Sequence, residues 1–201
     1  TVEWLAIGEH HRWPEVFTTL TQNQDSPLVI AAQRLVAALD NTSIAEWAKE
    51  HERIFGHSVQ SAAPPYELEY GEEHSHRQPQ ELGDIAAFYQ AFGLQVSALS
   101  HERVDHIITE CEFMQVLLYK QACALDEGQS EHVEIGAEAA KQFLADHLGR
   151  WGPAFALRLS RATHWELFKA TAQLLLEWLV SECSRMELPL GLHDLPLRQP
   201  K

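Results

Sequence analysis

The sequence predicts an all-α protein, a single-domain helical bundle of about eight or nine helices. Apolar residues recur at the i, i+3, i+4 spacing of a helix along most of the 201 residues, beginning with Leu28, Ala31, Ala32, Leu35 and Leu39. No alternation of apolar and polar residues lasts long enough for a strand. With 45% apolar and 22% charged residues, the chain can bury a core and differs from disordered chains.

Capping residues and glycines set the expected helix boundaries. Ser26 precedes Pro27 at the start of a first helix, and a capping box from Ser43 to Glu46 opens a second, which Gly56 ends. Further helices are expected over about 81–93, 102–126, 131–148 and 151–162, and onward from a second capping box, Thr163 to Glu166.

Two segments fall outside this helical pattern. Residues 187–201 are rich in proline and are expected to form an extended or loose tail after a domain that covers residues 1–186. Residues 56–79 form a long connection without a helix signal. Such connections are usually functional or disordered. Because Tyr66 and Tyr70 lie so close together, we expect part of this connection to pack, and we favour function over disorder.

The net charge of −14 disfavours nucleic acid and anionic membrane surfaces as partners. It is compatible with a cationic partner or simply with high solubility. No apolar run approaches the ~18–20 residues of a membrane span, so stable membrane insertion is not expected, and no signal peptide pattern is visible. The three cysteines lie among apolar helical residues, which is typical of a reducing cytoplasm. We expect a monomer, with a domain-swapped dimer left open.

Glu102, His106 and Glu110 recur every fourth residue, so one predicted helix aligns an imidazole between two carboxylates. The same face becomes apolar further along, at Phe113 and Leu117, which indicates a helix that is buried in its second half. His106 and Glu110 are therefore expected at a rim above an apolar groove. The plainer alternative is a surface pair of i, i+4 side chains.

An enzyme or metal protein using His106, Glu110, His74 and His76 is the main alternative function. A carboxylate-bridged metal bundle needs Glu-x-x-His pairs on two helices, and only Glu73 and His76 have this spacing, within the long connection. The nucleophile elbow, the phosphate loop and the dinucleotide fingerprint are all missing from the sequence. We therefore expect no enzyme activity, no catalytic residues, no metal site and no cofactor.

Four sequence motifs carry a resemblance to a known family. They are "PPYELEYG" (64–71), "ELGDIAAFYQAFGL" (81–94), "DHIITECEF" (105–113) and "FLADHLGRW" (143–151). In this order and spacing, the chain resembles the TorD/DmsD/NarJ family of cytoplasmic chaperones for molybdenum enzymes. The first two motifs look most similar to chaperones of the dimethylsulfide, ethylbenzene and selenate dehydrogenase or reductase type.

The resemblance implies a TorD-like all-α fold without catalytic turnover. It implies a partner, the catalytic subunit of a molybdopterin oxidoreductase. Such a chaperone binds the twin-arginine signal peptide or the apo-enzyme in the cytoplasm until the cofactor is inserted and the subunit is exported.

A basic, partly apolar signal calls for carboxylates beside an apolar groove. Asp105 and His106 match the family's aspartate–histidine pair, while Pro64 and Pro65 could simply shape a turn. His147 and Trp151 are expected to pack in the core. The predicted signal-binding residues are Tyr66, Glu67, Glu69, Tyr70, Phe88, Asp105, His106, Glu110, Phe113 and Leu117.

Overall fold

The computed structural model describes residues 26–40, 43–56, 61–71, 78–97 and 102–198. Within these ranges it has seven α-helices and no strand, which confirms the all-α prediction. Their bounds are α1 Pro27–Asp40, α2 Ile44–Phe55, α3 Gln78–Ala91, α4 Ile107–Asp126, α5 Ser130–Phe143, α6 Gly149–Ala162 and α7 Glu166–Arg185.

The helices pack around one main hydrophobic cluster. Helix α4 packs against α5, while α7 packs against both α6 and α1. The centre of the cluster is formed by fully buried side chains that include Met114, Leu117, Phe143, Leu148 and Trp151. Among the described residues, no helix is long and apolar enough to cross a membrane.

Two of the predicted helix boundaries follow their local signals. The Ser43 hydroxyl accepts a hydrogen bond from the Glu46 N–H at 3.3 Å and so caps α2, as the sequence predicts. Gly93 follows α3 with a φ of +74°, and the Leu94 N–H reaches back to the Tyr89 carbonyl at 2.9 Å. This left-handed turn is one that glycine adopts without steric cost.

Helix α4 begins at Ile107, five residues later than the predicted start at 102. His106 is its N-cap: the Nδ1 atom accepts a hydrogen bond from the Ile108 N–H at 3.2 Å. Glu102 and His106 therefore precede the helix, and the predicted stripe of Glu102, His106 and Glu110 along one helical face is wrong. Local periodicity does not reveal that the Ile107 N–H bonds to the Pro65 carbonyl, 2.9 Å away in another segment.

The predicted capping box from Thr163 to Glu166 is also wrong. Helix α7 begins at Glu166 with Trp165 as its N-cap. The Thr163 hydroxyl is buried, donates to Glu50 Oε1 at 2.6 Å and accepts from the Trp165 N–H at 3.0 Å. The threonine hydroxyl therefore bonds to Glu50 on α2 and to the Trp165 N–H, and not to the Glu166 N–H that a capping box requires.

The predicted helix end at Gly149 is absent. A single π turn, Leu144–Leu148, joins α5 to α6, so the described residues contain six separate helical rods, fewer than the predicted eight or nine. Pro153 lies inside α6, where it has no N–H to offer the Gly149 carbonyl four residues before it. That carbonyl instead accepts a hydrogen bond from the Gly191 N–H at 3.0 Å.

The segment after α7 is docked on the bundle through residue 198 rather than loose. Leu188, Leu190, Leu195 and Leu197 pack against the main hydrophobic cluster. At Gly191 an added Cβ would lie 2.1 Å from the Arg150 carbonyl oxygen, so only glycine allows this approach. This docking places the end of the chain beside the segment that carries the candidate site.

Candidate functional site

The proline–tyrosine–acid segment, residues 64–71, is joined by its backbone to the turn that precedes α4. The Ile107 N–H donates to the Pro65 carbonyl and the Glu67 N–H donates to the Asp105 carbonyl, both at 2.9 Å. Tyr66 and His106 form an antiparallel bridge between these hydrogen bonds. Two motifs nearly forty residues apart in the sequence therefore form one structural unit.

The chain after α7 borders the opposite side of this segment. The Gly71 N–H donates to the Pro196 carbonyl, and the Arg198 N–H donates to the Glu69 carbonyl, each at 2.8 Å. Arg198 Nη1 also donates to Glu81 Oε2 on α3 at 2.9 Å. The backbone of residues 64–71 is thus hydrogen-bonded to two other segments of the chain.

Four side chains form what we call the outer cluster: the buried Asp105 and the partly exposed Tyr66, Glu69 and Arg103. Arg103 binds both oxygens of Asp105, with Nε 2.9 Å from Oδ1 and Nη2 2.7 Å from Oδ2. Its Nη1 lies 3.4 Å from Glu69 Oε1, and its Cζ lies 4.4 Å from the centre of the Tyr66 ring. Asp105 Oδ2 also accepts the Leu68 N–H at 3.2 Å. Together these residues contact the Arg103 guanidinium on its edges, through two carboxylates, and on its face, through an aromatic ring.

A second group of five side chains forms what we call the inner cluster: Glu67, Glu110, His147, Arg150 and Trp151. Its carboxyl groups, Glu67 and Glu110, are buried, while 38% of the Arg150 side chain is exposed. His147 Nδ1 donates to Glu67 Oε2 at 3.0 Å, and Arg150 Nη2 donates to Glu67 Oε1. Trp151 Nε1 donates to Glu110 Oε2 at 2.9 Å. Glu110 Oε1 makes no hydrogen bond to any described residue. Both carboxyl oxygens of Glu67 therefore accept hydrogen bonds, whereas only one oxygen of Glu110 does.

The two inner carboxyl groups have opposite pKa shifts. Burial opposes ionisation of Glu67, but the hydrogen bond and charge of His147 and the charge of Arg150 outweigh it, so the pKa of Glu67 is lowered. Burial, followed by repulsion from Glu67, raises the pKa of Glu110 well above its ordinary value. Of the pair, Glu67 therefore ionises more readily than Glu110.

His106 packs its ring edge-on against Tyr66, with 5.3 Å between ring centres. Burial lowers its pKa, although the nearby charges of Glu102 and Asp105 oppose the shift. Because Nδ1 accepts the Ile108 N–H, the neutral ring carries its proton on Nε2, which lies 3.8 Å from Glu102 Oε2. This arrangement fits a neutral capping residue at the edge of the outer cluster.

The predicted apolar site residues lie deeper than expected. Tyr70, Phe113 and Leu117 are buried in the main cluster, and Phe88 is half-buried beside them. The Tyr70 hydroxyl donates to the Pro64 carbonyl at 2.9 Å. Phe113 therefore packs in a set of aromatic rings with Phe88, Tyr89, Phe92 and Phe143 and does not line an open groove.

The expected position of Glu110 at a rim is likewise wrong, because its side chain is fully buried. Of the predicted polar set, Tyr66 and Glu69 are half-buried, whereas Asp105, His106, Glu67 and Glu110 are buried, so His106 does not lie at an open rim either. Trp151 is buried as predicted, but it also serves as a hydrogen-bond donor. The function of these residues stays a prediction.

Arg103 and Arg150 are the site residues that the sequence analysis missed. Arg150 lies three residues after His147, so both face Glu67 from one helical surface. Arg103 lies two residues before Asp105. Side chains at this spacing do not face each other on a helix, and a helix was predicted there. The only indication in the sequence was that this positively charged residue lies between two acidic residues, Glu102 and Asp105.

The predicted alternative, a metal or acid–base site, draws in part on residues outside the described ranges. His74 and His76 lie outside the described residues. Within the described ranges, no group of three or more His, Cys, Asp or Glu side chains could hold a metal ion. Cys111 is half-buried, and burial raises the pKa of its thiol to about 12, which makes it a poor nucleophile.

Comparison with known families gives one match across most of the chain. Residues 22–157 match the profile of the family described as nitrate reductase delta subunit. The chain belongs to this family. It is the TorD/NarJ family to which the sequence motifs point, and its members are assembly chaperones rather than catalysts.

Curated relatives carry names in agreement with the family. The chain is 36% identical over 78 residues to a selenate reductase assembly chaperone protein from Thauera selenatis, and 35% identical over 78 residues to a chlorate reductase assembly chaperone protein from Ideonella dechloratans. Each match covers 39% of this chain and 39% of the relative's own length. The chaperone protein TorD of Vibrio cholerae serotype O1 (strain M66-2) is 26% identical over 131 residues, which are 63% of this chain and 56% of TorD.

Proposed function

We propose that this protein is an assembly chaperone for the catalytic subunit of a molybdopterin oxidoreductase. In this role it binds the twin-arginine signal peptide, the apo-enzyme or both in the cytoplasm, and holds the subunit there until cofactor insertion and export. Family membership and the names of the relatives support the chaperone role. The selenate and chlorate reductase chaperones support a client of that reductase type.

The observation that carries the proposal is the outer cluster. Its buried Asp105 carboxylate presents both oxygens to one guanidinium, with the Tyr66 ring on one face and Glu69 at the side. This is the geometry that distinguishes arginine from lysine, because only a planar guanidinium can use both oxygens and the ring at once. A twin-arginine segment is a ligand for which such selectivity matters.

The electrostatic field supports the same assignment. The chain has a net charge of −14, so a basic segment is attracted over a distance of about 10 Å at moderate ionic strength. Long-range attraction would speed capture, and the outer cluster would select arginine at close range. Binding is therefore expected to weaken as salt concentration rises.

Titration of a synthetic twin-arginine peptide by isothermal calorimetry tests the proposal. We expect a dissociation constant in the micromolar range or tighter, and a loss of about tenfold or more when both arginines are changed to alanine. Equal affinity for the two peptides would contradict arginine recognition. Co-purification of the native oxidoreductase subunit from source cells tests the identity of the client.

Asp105→Asn is the matched protein variant for that titration. It removes the charge that binds arginine but retains an acceptor for the Leu68 N–H, so the backbone of residues 64–71 keeps its hydrogen bond. We expect peptide affinity to fall about tenfold while the unfolding transition stays cooperative. If the variant fails to fold instead, Asp105 acts in stability rather than in recognition.

A further inference from the structure

The outer cluster is occupied in the free protein by an arginine of the same chain. Three of its interactions converge on the Arg103 guanidinium: both oxygens of Asp105, a flanking contact to Glu69, and the face of Tyr66. These are the contacts that an arginine of a bound peptide would use. Arg103 therefore resembles a ligand bound in its site.

Arg103 is placed to leave this site without disturbing a helix. It lies before the first turn of α4, and 36% of its side-chain surface is exposed, whereas the Asp105 side chain is completely covered. Arg103 thus keeps part of its surface in solvent while it binds a covered carboxylate. Rotation of one side chain would uncover Asp105 from the outside.

If an arginine from another chain replaced Arg103, the buried Asp105 carboxylate would keep a cation and two hydrogen bonds. Among the described residues Arg103 is the only side-chain cation bound to the buried Asp105 carboxylate, so its departure without a replacement is disfavoured, whereas its exchange for a second cation is not. A second guanidinium restores the paired hydrogen bonds and the contact with the ring. The ammonium of lysine restores the charge but not the two-oxygen geometry.

We propose that Arg103 is an internal competitor that holds the arginine site of the outer cluster until an arginine of the client segment displaces it. This inference rests on the proposed function. It makes recognition an exchange of one guanidinium for another and lowers the affinity of the free protein for any partner that does not bring an arginine.

The first experiment measures twin-arginine peptide affinity for Arg103→Ala and Arg103→Lys. We expect Arg103→Ala to bind about tenfold more tightly than the unaltered protein, since the competing pair is gone, and Arg103→Lys to fall between the two. Arg53→Ala is the matched control. Arg53 also binds a buried carboxylate, Glu50, through both oxygens at 2.7 and 2.6 Å, and none of its hydrogen bonds reaches the outer cluster, so its loss should leave peptide affinity unchanged.

The second experiment does not depend on the peptide. Ethylguanidinium is added to Arg103→Ala at millimolar concentration, with ethylammonium at equal ionic strength as the reference, and the melting temperature is followed. We expect ethylguanidinium alone to raise the melting temperature of Arg103→Ala. Neither the unaltered protein, where Arg103 fills the site, nor the double variant Arg103→Ala/Asp105→Asn should respond.

The combined results separate this inference from the proposed function. If Arg103→Ala binds the peptide no better than the unaltered protein, Arg103 does not compete and the exchange is wrong. If ethylguanidinium stabilises Arg103→Ala but no form of the protein binds the peptide, the arginine site stands and the twin-arginine function fails. If the peptide binds in all forms and ethylguanidinium has no selective effect, the function stands and the internal competitor is overturned.

Discussion

The outer and inner clusters both contain a buried carboxylate that is bound by a partly exposed arginine, yet the two carboxylates differ in their partners. Among the described residues, Arg103 is the only side-chain cation bound to Asp105. In the inner cluster, Glu67 is bound by both His147 and Arg150, and Glu110 is bound by Trp151. Under the proposals above, the single cation on Asp105 is the one that a ligand replaces, whereas the two partners of Glu67 stabilise residues 64–71.

The largest effect is expected from Glu67→Ala in the inner cluster. Removing this buried carboxylate leaves His147 and Arg150 without their shared anion, and we expect the free energy of unfolding to fall by about 3 kcal/mol. Urea denaturation provides the measurement. Glu69→Ala, on the same segment but half-buried, is the control and should cost less than about 1 kcal/mol. Similar losses for the two variants would show that Glu67 stabilises the fold no more than Glu69 does.

Trp151→Phe tests the hydrogen bond at the base of the inner cluster. The phenylalanine ring fills most of the space but cannot donate to Glu110 Oε2, so we expect a loss of about 2 kcal/mol in the free energy of unfolding. In the double variant Trp151→Phe/Glu110→Met both polar partners are gone. Its loss should be smaller than the sum of the two single losses by about 1 kcal/mol. Additive losses would mean that this hydrogen bond contributes nothing beyond packing.

Glu110→Gln tests the protonation state of the inner cluster. Because the pKa of Glu110 is raised on folding, the folded state holds a proton that the unfolded state releases once the pH exceeds about 4.3. This contribution to stability is full below that pH and is lost as pH rises toward the folded pKa. Glutamine has no proton to lose.

As pH rises from 5 to 8, the unfolding free energy of the unaltered protein should therefore fall relative to that of Glu110→Gln by on the order of 1 kcal/mol. Urea midpoints at several pH values measure it, and subtracting the two proteins removes the titration of His106 and other groups. A difference that stays constant with pH would show that Glu110 is already ionised in the folded protein.

The smallest effect is expected from Glu102→Gln at the margin of the outer cluster. Glu102 lies 3.8 Å from His106 Nε2 with 47% of its side chain exposed, so solvent screens the pair. Its loss should change the free energy of unfolding by less than about 0.5 kcal/mol and leave peptide affinity within twofold. A larger drop in affinity would extend the recognition surface beyond the outer cluster.

Local signals predicted the parts of the fold whose hydrogen bonds are local. Ser43 caps α2 and Gly93 follows α3 because each needs only its own neighbours in the chain. The start of α4 and the cap at Thr163 were predicted wrongly for the opposite reason. Pro65 and Glu50, both distant in the sequence, supply partners that compete with the local ones.

For the site, the sequence by itself determined which segments matter and which residue types they contain. The proline–tyrosine–acid segment and the aspartate–histidine motif are visible in the sequence, and the structure joins them. Only the tertiary structure decided which carboxylates are buried, which of them ionises more readily, and which side chains each one contacts. Those properties depend on desolvation and on side chains brought together from α4, α6 and the segment 64–71, and spacing along one helix contains no information about them.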